Sequence, residues 1–360
     1  MCRAVSRQRD QAGADAPGTP VGRGRGVSRR TLLGGVAAGV LAACVGAEPV
    51  VRTAPSGRPS PTRLAEAETG TGAVAADPQR FEPVPGDVLL DAKRLAGRMA
   101  VALTTYAAGE DAMAVAARAL RPMLSPGSAA PRVPVEAVAA AAAPLVVPGT
   151  DSAGRVVYPQ LGGESFAQDT CSVMVVTEQR LASGTITRTL DLRLRLTGRG
   201  WAFEGVASAG GDPVPRPPDL SAIAAQVLDD ARITLPDSAR WDIHASRIDE
   251  RLLATMQAMA GMFPYAVTCL ASGHPPQVFD TARTSNHTTG RAVDVWRVGD
   301  LPVVAQQAAP ATPAHRMHQA LHDLGEAEEL GGPWDLDAGG RRSFTDRVVH
   351  KDHLHVAFFA

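Results

Sequence analysis

Two short polar strings near the end of the chain contain residue types whose spacing suits metal-assisted hydrolysis. The first spans residues 285–294 and reads Ser-Asn-His-Thr-Thr-Gly-Arg-Ala-Val-Asp, and the second spans 350–355 and reads His-Lys-Asp-His-Leu-His. A catalytic zinc ion takes three ligands from His, Asp or Glu side chains and lowers the pKa of water at its open fourth position to about 7. A carboxylate beside that water can accept its proton. Together the two strings contain all of these groups.

The first string predicts a chain reversal that brings two ligands together. His287 precedes a turn that contains Gly290, and glycine permits the backbone conformations that such a turn needs. Asp294 then lies on the returning strand, on the same face as the small Ala292, which leaves room for an ion. We therefore expect His287 and Asp294 to be able to share a metal.

The second string offers the remaining groups. His355 begins a strand predicted at the chain end and can be a third ligand, with Asp352 three residues before it. In a straight strand His353 and His355 share a face and Asp352 points away from it. Asp352 can therefore act as a base only if the strand begins after it, and the polar residues that precede it favour this.

The combined pattern SxHxxGxAxD followed by DHxH resembles the zinc D-alanyl-D-alanine peptidases. These include the vancomycin-resistance dipeptidase and carboxypeptidase types, phage endolysin peptidases and the related hedgehog fold. The resemblance covers about residues 240–360, a third of the chain. Every fixed position of the first motif is present, namely Ser285, His287, Gly290, Ala292 and Asp294.

The resemblance implies a role for each matching side chain. Zinc would be bound by His287, Asp294 and His355, and Asp352 would be the general base. His353 would line the site and donate a hydrogen bond to the substrate or to the forming oxyanion. Ser285 would contact the substrate.

One departure from the family pattern concerns the oxyanion. The family usually has an arginine just after a Ser-Gly pair upstream, whereas here the pair at 272–273 is followed by His274. Either His274, Arg283 or Arg291 substitutes for that arginine, or catalysis is weaker or altered. The loss of one oxyanion donor costs roughly a hundred- to a thousandfold in rate.

Three further histidines form a rival cluster. His315, His318 and His322 recur at helical spacing, and Met317 and Leu321 lie opposite them. We therefore predict that the histidine face is solvated. The chain shows no His-Glu-x-x-His pattern here that would make the cluster a peptidase site.

Two of the four cysteines fall in the body of the chain. A disulfide between Cys171 and Cys269 is compatible with an oxidising compartment. We favour the alternative, in which both are buried thiols that pack like small apolar residues.

The N-terminus resembles an export signal. Arg29 and Arg30 precede an apolar run that ends at Leu-Ala-Ala-Cys44, and this run is too short to span a bilayer. The arginine pair resembles a twin-arginine signal. The four-residue end resembles a lipobox, in which Cys44 would be diacylated and become the mature N-terminus. The alternatives are an ordinary basic n-region and a simple cleavage site beside Cys44.

Composition limits the remaining function classes. The chain has 360 residues, of which 45% are hydrophobic and 20% charged, enough for about two domains with buried cores. A formal net charge of −1 gives no electrostatic case for nucleic-acid binding. No polybasic patch favours the membrane, so the lipid alone would anchor the protein. We expect a monomer whose partners are peptidoglycan stem peptides.

Changes in composition divide the mature chain. Residues 44–86 are rich in Pro, Thr, Ser, Gly and Ala and are predicted to be a flexible tether. Residues 87–211 form a predicted α+β unit of unknown function. Four prolines within residues 212–219 predict an extended linker. Residues 220–360 form the predicted zinc domain.

The unit 87–211 is predicted to begin with helices and to end in antiparallel strands. Helices are indicated at Leu95–Tyr106, 112–124 and 135–145, and a half-buried strand is indicated where leucines alternate with charged residues over 190–196. The order is similar to cystatin-like domains. Glu164, like Asp169 and Glu178, is interpreted as a solvated surface charge.

The zinc domain is also predicted to be α+β. Helices are expected over 220–232, capped by Asp219, and over 313–326, and strands are expected over 265–270, 291–296 and 355–359.

The resulting hypothesis is an exported lipoprotein, anchored to the outer face of the cytoplasmic membrane, with a D,D-carboxypeptidase-like zinc metallopeptidase domain. It would hydrolyse D-amino-acid peptide bonds of peptidoglycan stem peptides. One alternative is a non-catalytic zinc-containing module that binds the cell wall. Another is a structural lipoprotein whose α+β unit binds a partner.

Overall fold

The computed structural model describes residues 84, 86–125 and 127–360. The predicted signal 1–43, Cys44 and nearly all of the predicted tether lie outside these residues. No helix among the described residues is both long enough and apolar enough to cross a membrane. The described part is α+β, as predicted from the sequence.

The first region consists of three helices followed by four antiparallel strands. The helices predicted over 112–124 and 135–145 are confirmed, and each closes with a short 3₁₀ turn. The strands pair in sequence order, as a meander. The elements are α1 (Leu90–Thr104), α2 (Ala112–Leu120), α3 (Val135–Ala142), β1 (Ser152–Ser165), β2 (Thr170–Leu181), β3 (Gly184–Thr197) and β4 (Gly200–Ser208).

The middle of β3 is buried on both faces, which differs from the half-buried strand that we expected. Leu190, Leu192 and Leu194 of β3 belong to a core with the three helices. Asp191 points to the other face and is also 0% exposed, because the second region of the chain packs there. The alternation of apolar and charged residues predicts which face of a strand is polar. It does not predict whether that polar face contacts water or another part of the protein.

The second region contains a mixed sheet surrounded by helices. The elements are α4 (Ala222–Asp229), β5 (Ile233–Thr234), α5 (Asp237–His244), α6 (Glu250–Met262), β6 (Tyr265–Cys269), β7 (Ala292–Val298), β8 (Leu301–Pro302), α7 (Val303–Gln306), α8 (Pro313–Leu324), β9 (Glu329–Gly331), β10 (Ser343–Phe344) and β11 (Leu354–Ala357). The strand order is β10-β9-β11-β7-β6-β5, and β8 pairs with β7.

The cap of α4 was predicted at the wrong residue. Asp219 lies in a turn before the helix, and Ser221 is the N-cap, with its Oγ accepting a hydrogen bond from Ala224 N at 3.3 Å. Both residue types cap helices well, so the sequence offered two candidates two positions apart. The helix ends at Asp229, three residues earlier than predicted.

The two regions pack directly on each other. Residues 212–217 between them contain no helix or strand, and all described residues belong to one compact unit. Thr189 N donates to Ser238 Oγ at 2.9 Å across the boundary, and the Arg188 guanidinium lies 4.7 Å from the centre of the Trp241 ring. The polar face of the meander therefore forms one wall of the second region.

Candidate metal centre

Strand pairing brings two of the predicted ligands side by side. β7 and β11 are adjacent and antiparallel, and Asp294 is the direct partner of His355. Residues paired in this way have Cβ atoms about 4.5–5.5 Å apart on one face of the sheet. Asp294 also pairs with Cys269 of β6 on its other side. The sheet thus places three groups with possible ligand atoms in one row.

The turn before β7 brings His287 to the same place. Gly290 N donates to His287 O at 2.9 Å, and Arg291 N donates to Asn286 O at 2.9 Å, which reverses the chain. Gly290 has a φ of 70°, and a Cβ there would overlap the carbonyl oxygen of Arg247. The structure therefore requires glycine at this position, as the motif predicted.

Three side-chain atoms converge in the buried space between the turn and the sheet. His287 Nε2 lies 3.1 Å from Asp294 Oδ1 and 3.2 Å from His355 Nδ1, and these last two atoms are 2.9 Å apart. Tetrahedral ligands with bonds of about 2.0–2.1 Å would be about 3.3 Å from one another. The separations are therefore close to those of one coordination shell.

The hydrogen bonds and pKa shifts of these groups suit a cation. His287 Nδ1 donates to the Leu270 carbonyl oxygen, so Nε2 is the ring nitrogen that faces Asp294 and His355. Burial lowers the pKa of His355 to about 4, which keeps its imidazole neutral. Burial would raise the pKa of Asp294, but the neighbouring histidines hold it well below its usual value.

Cys269 forms a second possible ligand set with two of the same residues. The buried group of Cys269, His287 and Asp294 could hold a metal ion. Cys269 Sγ lies 3.9 Å from His287 Nδ1 and 3.9 Å from Asp294 Oδ2. The His287 nitrogen nearest to this sulfur in these contacts, Nδ1, already binds Leu270 O. Burial also raises the pKa of the Cys269 thiol, whereas metal ligation needs the thiolate.

Cys171 and Cys269 are both free and buried. The interpretation that we favoured from the sequence, two buried thiols in place of a disulfide, is confirmed.

Asp352 lies before β11, as a base role would require, but its carboxylate does not reach open space. Oδ1 accepts from His353 Nδ1 at 2.7 Å, and Oδ2 accepts from Lys93 Nζ at 2.6 Å and from Leu161 N at 3.0 Å. The Asp352 side chain is 0% exposed. These contacts support a positioning role and leave no oxygen directed at a substrate.

His353 is the side chain that Asp352 positions. Its Nδ1 faces Asp352, and its Nε2 lies 3.8 Å from Asp294 Oδ2. Burial would lower the pKa of His353, but Asp294 and Asp352 raise it above the usual value. The imidazole is therefore held in one orientation with a proton available at Nε2.

A cavity of about 230 Å³ opens beside these groups. The predicted substrate residues Ser285, His274 and Arg283 all line it, together with Asp294, His353 and His355. The His274 ring stacks on the His287 ring with centroids 3.9 Å apart, and Ser285 Oγ lies 3.4 Å from His274 Nδ1. Arg283 donates to Glu329 Oε1 at 3.1 Å and is half-exposed. Arg291 is not part of the cavity wall.

Glu164 of β1 also lines this cavity, although its sequence context indicated a surface charge. Burial raises the pKa of its carboxyl to about 7, and Asp346 and Asp280 add to the shift while Arg347 opposes it. No motif marks Glu164, because its surroundings come from segments more than a hundred residues away.

We predict that this titration is visible in the stability of the protein. A carboxyl whose pKa rises on folding stabilises the native state fully below its unfolded pKa, and this contribution is lost as pH rises through the folded pKa. Between pH 4.5 and 7.5, the wild type should lose stability relative to Glu164→Gln, as measured by urea unfolding.

Glu178→Gln is the matched control. Arg155 holds the pKa of Glu178 below its usual value, so its contribution is complete above the unfolded pKa and is not lost as the pH rises over the same range. A constant difference between the wild type and Glu164→Gln would show that Glu164 is an ordinary surface carboxyl.

The rival histidine cluster does not behave as predicted. His318 is buried against Trp334 rather than solvated, with ring centres 6.1 Å apart. The segment 331–334 covers this part of α8, and helical periodicity alone does not show that. Among the described residues, no metal-holding group includes His315, His318 or His322.

Searches against protein-family models, curated proteins and solved structures find no match to this chain.

Proposed function

We propose that this chain is an exported zinc peptidase that hydrolyses D-amino-acid bonds in peptidoglycan stem peptides. The observation that carries the proposal is the convergence of His287 Nε2, Asp294 Oδ1 and His355 Nδ1 within 3.2 Å of one another. These are the ligands that the resemblance implies, and one imidazole is oriented by a backbone carbonyl, as metal-binding histidines usually are.

The fit of the three groups to zinc is chemical as well as geometric. Two imidazoles and one carboxylate are a common ligand set for catalytic zinc. When bound, the ion would act as a Lewis acid for amide hydrolysis. The chain itself offers His353, whose Nε2 can donate to negative charge that develops on the substrate, or to the leaving amine.

The cavity supports a short peptide end as the substrate. Its volume of about 230 Å³ is smaller than the roughly 300–1,000 Å³ typical of ligand pockets. Arg283 and Asn286 on its wall can contact a carboxylate or a peptide group. Arg283 is the candidate for the arginine that the family pattern places elsewhere, although Glu329 already binds it.

The direct test is hydrolysis by the purified, zinc-loaded chain. The substrates are a stem pentapeptide ending in D-Ala-D-Ala and the same peptide ending in L-Ala-L-Ala, with products identified by mass spectrometry. We expect cleavage of the first peptide only, and none after removal of zinc by a chelator. Equal cleavage of both peptides, or zinc-independent cleavage, would contradict the proposal.

The buried position of Asp352 favours the alternative of a non-catalytic module that binds zinc and the cell wall. If no other group accepts a proton, the domain would bind zinc and wall fragments without cutting them. In that case the same assay would show no product, while labelled muropeptides would still bind with a zinc-dependent affinity.

We also propose attachment to the membrane through Cys44. Cys44→Ser should move the protein from the membrane fraction to the soluble fraction, because the remaining chain has no polybasic patch to hold it. Lipid labelling followed by fractionation checks this, and Ala43→Gly, which keeps a small residue before the cysteine, is the control. A Cys44→Ser protein that remained lipid-labelled and membrane-bound would refute the lipobox interpretation.

A further inference from the structure

We infer that the first region of the chain completes the metal centre, with Gln160 of β1 as the positioning residue for Asp294. This inference rests on the proposed function, since it concerns affinity for the same ion. It assigns a role to the region 87–211, for which the sequence indicated none.

The contact between the two side chains is short and buried. Gln160 Nε2 donates to Asp294 Oδ2 at 2.7 Å across 134 residues of sequence. Gln160 is 0% exposed. Cys269 Sγ and His353 Nε2, the other groups near Oδ2, are 3.9 and 3.8 Å from it. Gln160 is therefore the close donor to this oxygen among the described residues.

The carboxylate fixes which end of the amide faces it, and a second hydrogen bond holds the other end. An ionised Asp294 only accepts hydrogen bonds, so the Nε2 donor must point to it, and Gln160 Oε1 accepts from the hydroxyl of Thr268 in β6. Thr268 is itself held, because the hydroxyl of Thr189 in β3 donates to its carbonyl oxygen. The chain of contacts connects the meander to the sheet that holds Asp294.

The two carboxylate oxygens of Asp294 therefore have different partners. Oδ2 is occupied by Gln160, and Oδ1 faces His287 Nε2 and His355 Nδ1. A carboxylate held by one oxygen presents the other in a fixed direction and loses little rotamer freedom when an ion binds. Groups that orient metal ligands in this way typically contribute 10- to 100-fold to metal affinity.

The test replaces the amide with an apolar side chain of similar length. Gln160→Met should weaken zinc binding about 10- to 100-fold, measured by competition with a chromophoric chelator on the full chain. The matched control is Gln179→Met in β2. Gln179 is 2% exposed and uses Nε2 to donate to Tyr106 OH and Leu145 O, away from the metal centre. It should lose stability but keep zinc affinity.

The zinc affinities of these variants decide whether Gln160 positions Asp294. Wild-type affinity in folded Gln160→Met, or equal losses in Gln160→Met and Gln179→Met, would overturn it. A wild type that binds no zinc would refute the proposed function as well, so the two failures are distinguishable. If Gln160→Met does not fold, Thr268→Val replaces it, since this variant removes only the hydroxyl that binds the amide oxygen of Gln160. Unchanged affinity in Thr268→Val would then overturn the inference.

Discussion

His287→Ala should lower zinc affinity by more than 100-fold and remove peptide hydrolysis along with the metal. Loss of an outer contact to a metal ligand typically costs 10- to 100-fold, so loss of a ligand must cost more. His287 also belongs to both candidate ligand sets, as Asp294 does. Zinc content after dialysis, measured by mass spectrometry, and zinc affinity by chelator competition check the prediction.

His244→Ala is the control for His287→Ala. His244 ends α5 and hydrogen-bonds Val214 O through Nδ1 at 2.7 Å, away from the cavity. Its replacement should leave about one zinc per chain. Full zinc occupancy in His287→Ala would refute the assignment of the centre.

Lys93→Met should destabilise the protein by about 3–5 kcal/mol, the usual cost of leaving a buried charge without its partner. Lys93 is 0% exposed and binds both Asp87 and Asp352, each at most 1% exposed. Burial would raise the pKa of Asp352, but Lys93 and His353 hold it below the usual value. Without Lys93, the buried carboxylate of Asp352 would have to accept a proton, or the region around it would have to unfold. Urea unfolding at pH 7 measures the difference.

Lys351→Met is the matched control, because Lys351 is the second of only two lysines in the chain. Its Nζ donates to the hydroxyl of Thr345 at 2.7 Å, and no carboxylate pairs with it among the described residues. We expect a change below about 1 kcal/mol, as for most substitutions away from buried charges. Equal losses in the two variants would show that the Lys93 ion pairs carry no special weight.

The ion pair between Lys93 and Asp352 changes the expected effect of Asp352→Asn on stability. From the sequence alone, this substitution would keep stability and zinc while removing a base. In the structure, asparagine would leave Lys93 with Asp87 only and would weaken the hold on His353 Nδ1. Loss of stability should therefore accompany loss of activity.

The local parts of the fold and the site could be predicted from the sequence. Helical spacing identified α2 and α3, and the placement of Gly290 between His287 and Asp294 identified the turn. Each of these signals lies within about ten residues, and local backbone preferences decide them.

Contacts between distant segments could not be predicted in this way. Gln160 meets Asp294, and Lys93 meets Asp352, across the boundary between two regions that looked independent. Lys93 offered a weak signal, as a rare lysine beside the apolar face of α1, whereas Gln160 offered none. The alternation of leucines and charged residues predicted that Asp191 faces solvent. In the structure it is buried, because the second region covers that face of the meander.

In the proposed centre, one zinc ion is bound by His287 Nε2, Asp294 Oδ1 and His355 Nδ1. Anomalous diffraction at the zinc absorption edge, from crystals of the zinc-loaded protein, would locate the ion. We predict one strong peak about 2.0–2.2 Å from each of these three atoms. A peak bound instead by Cys269 Sγ and His287 Nδ1, or no peak in this cavity, would contradict this assignment.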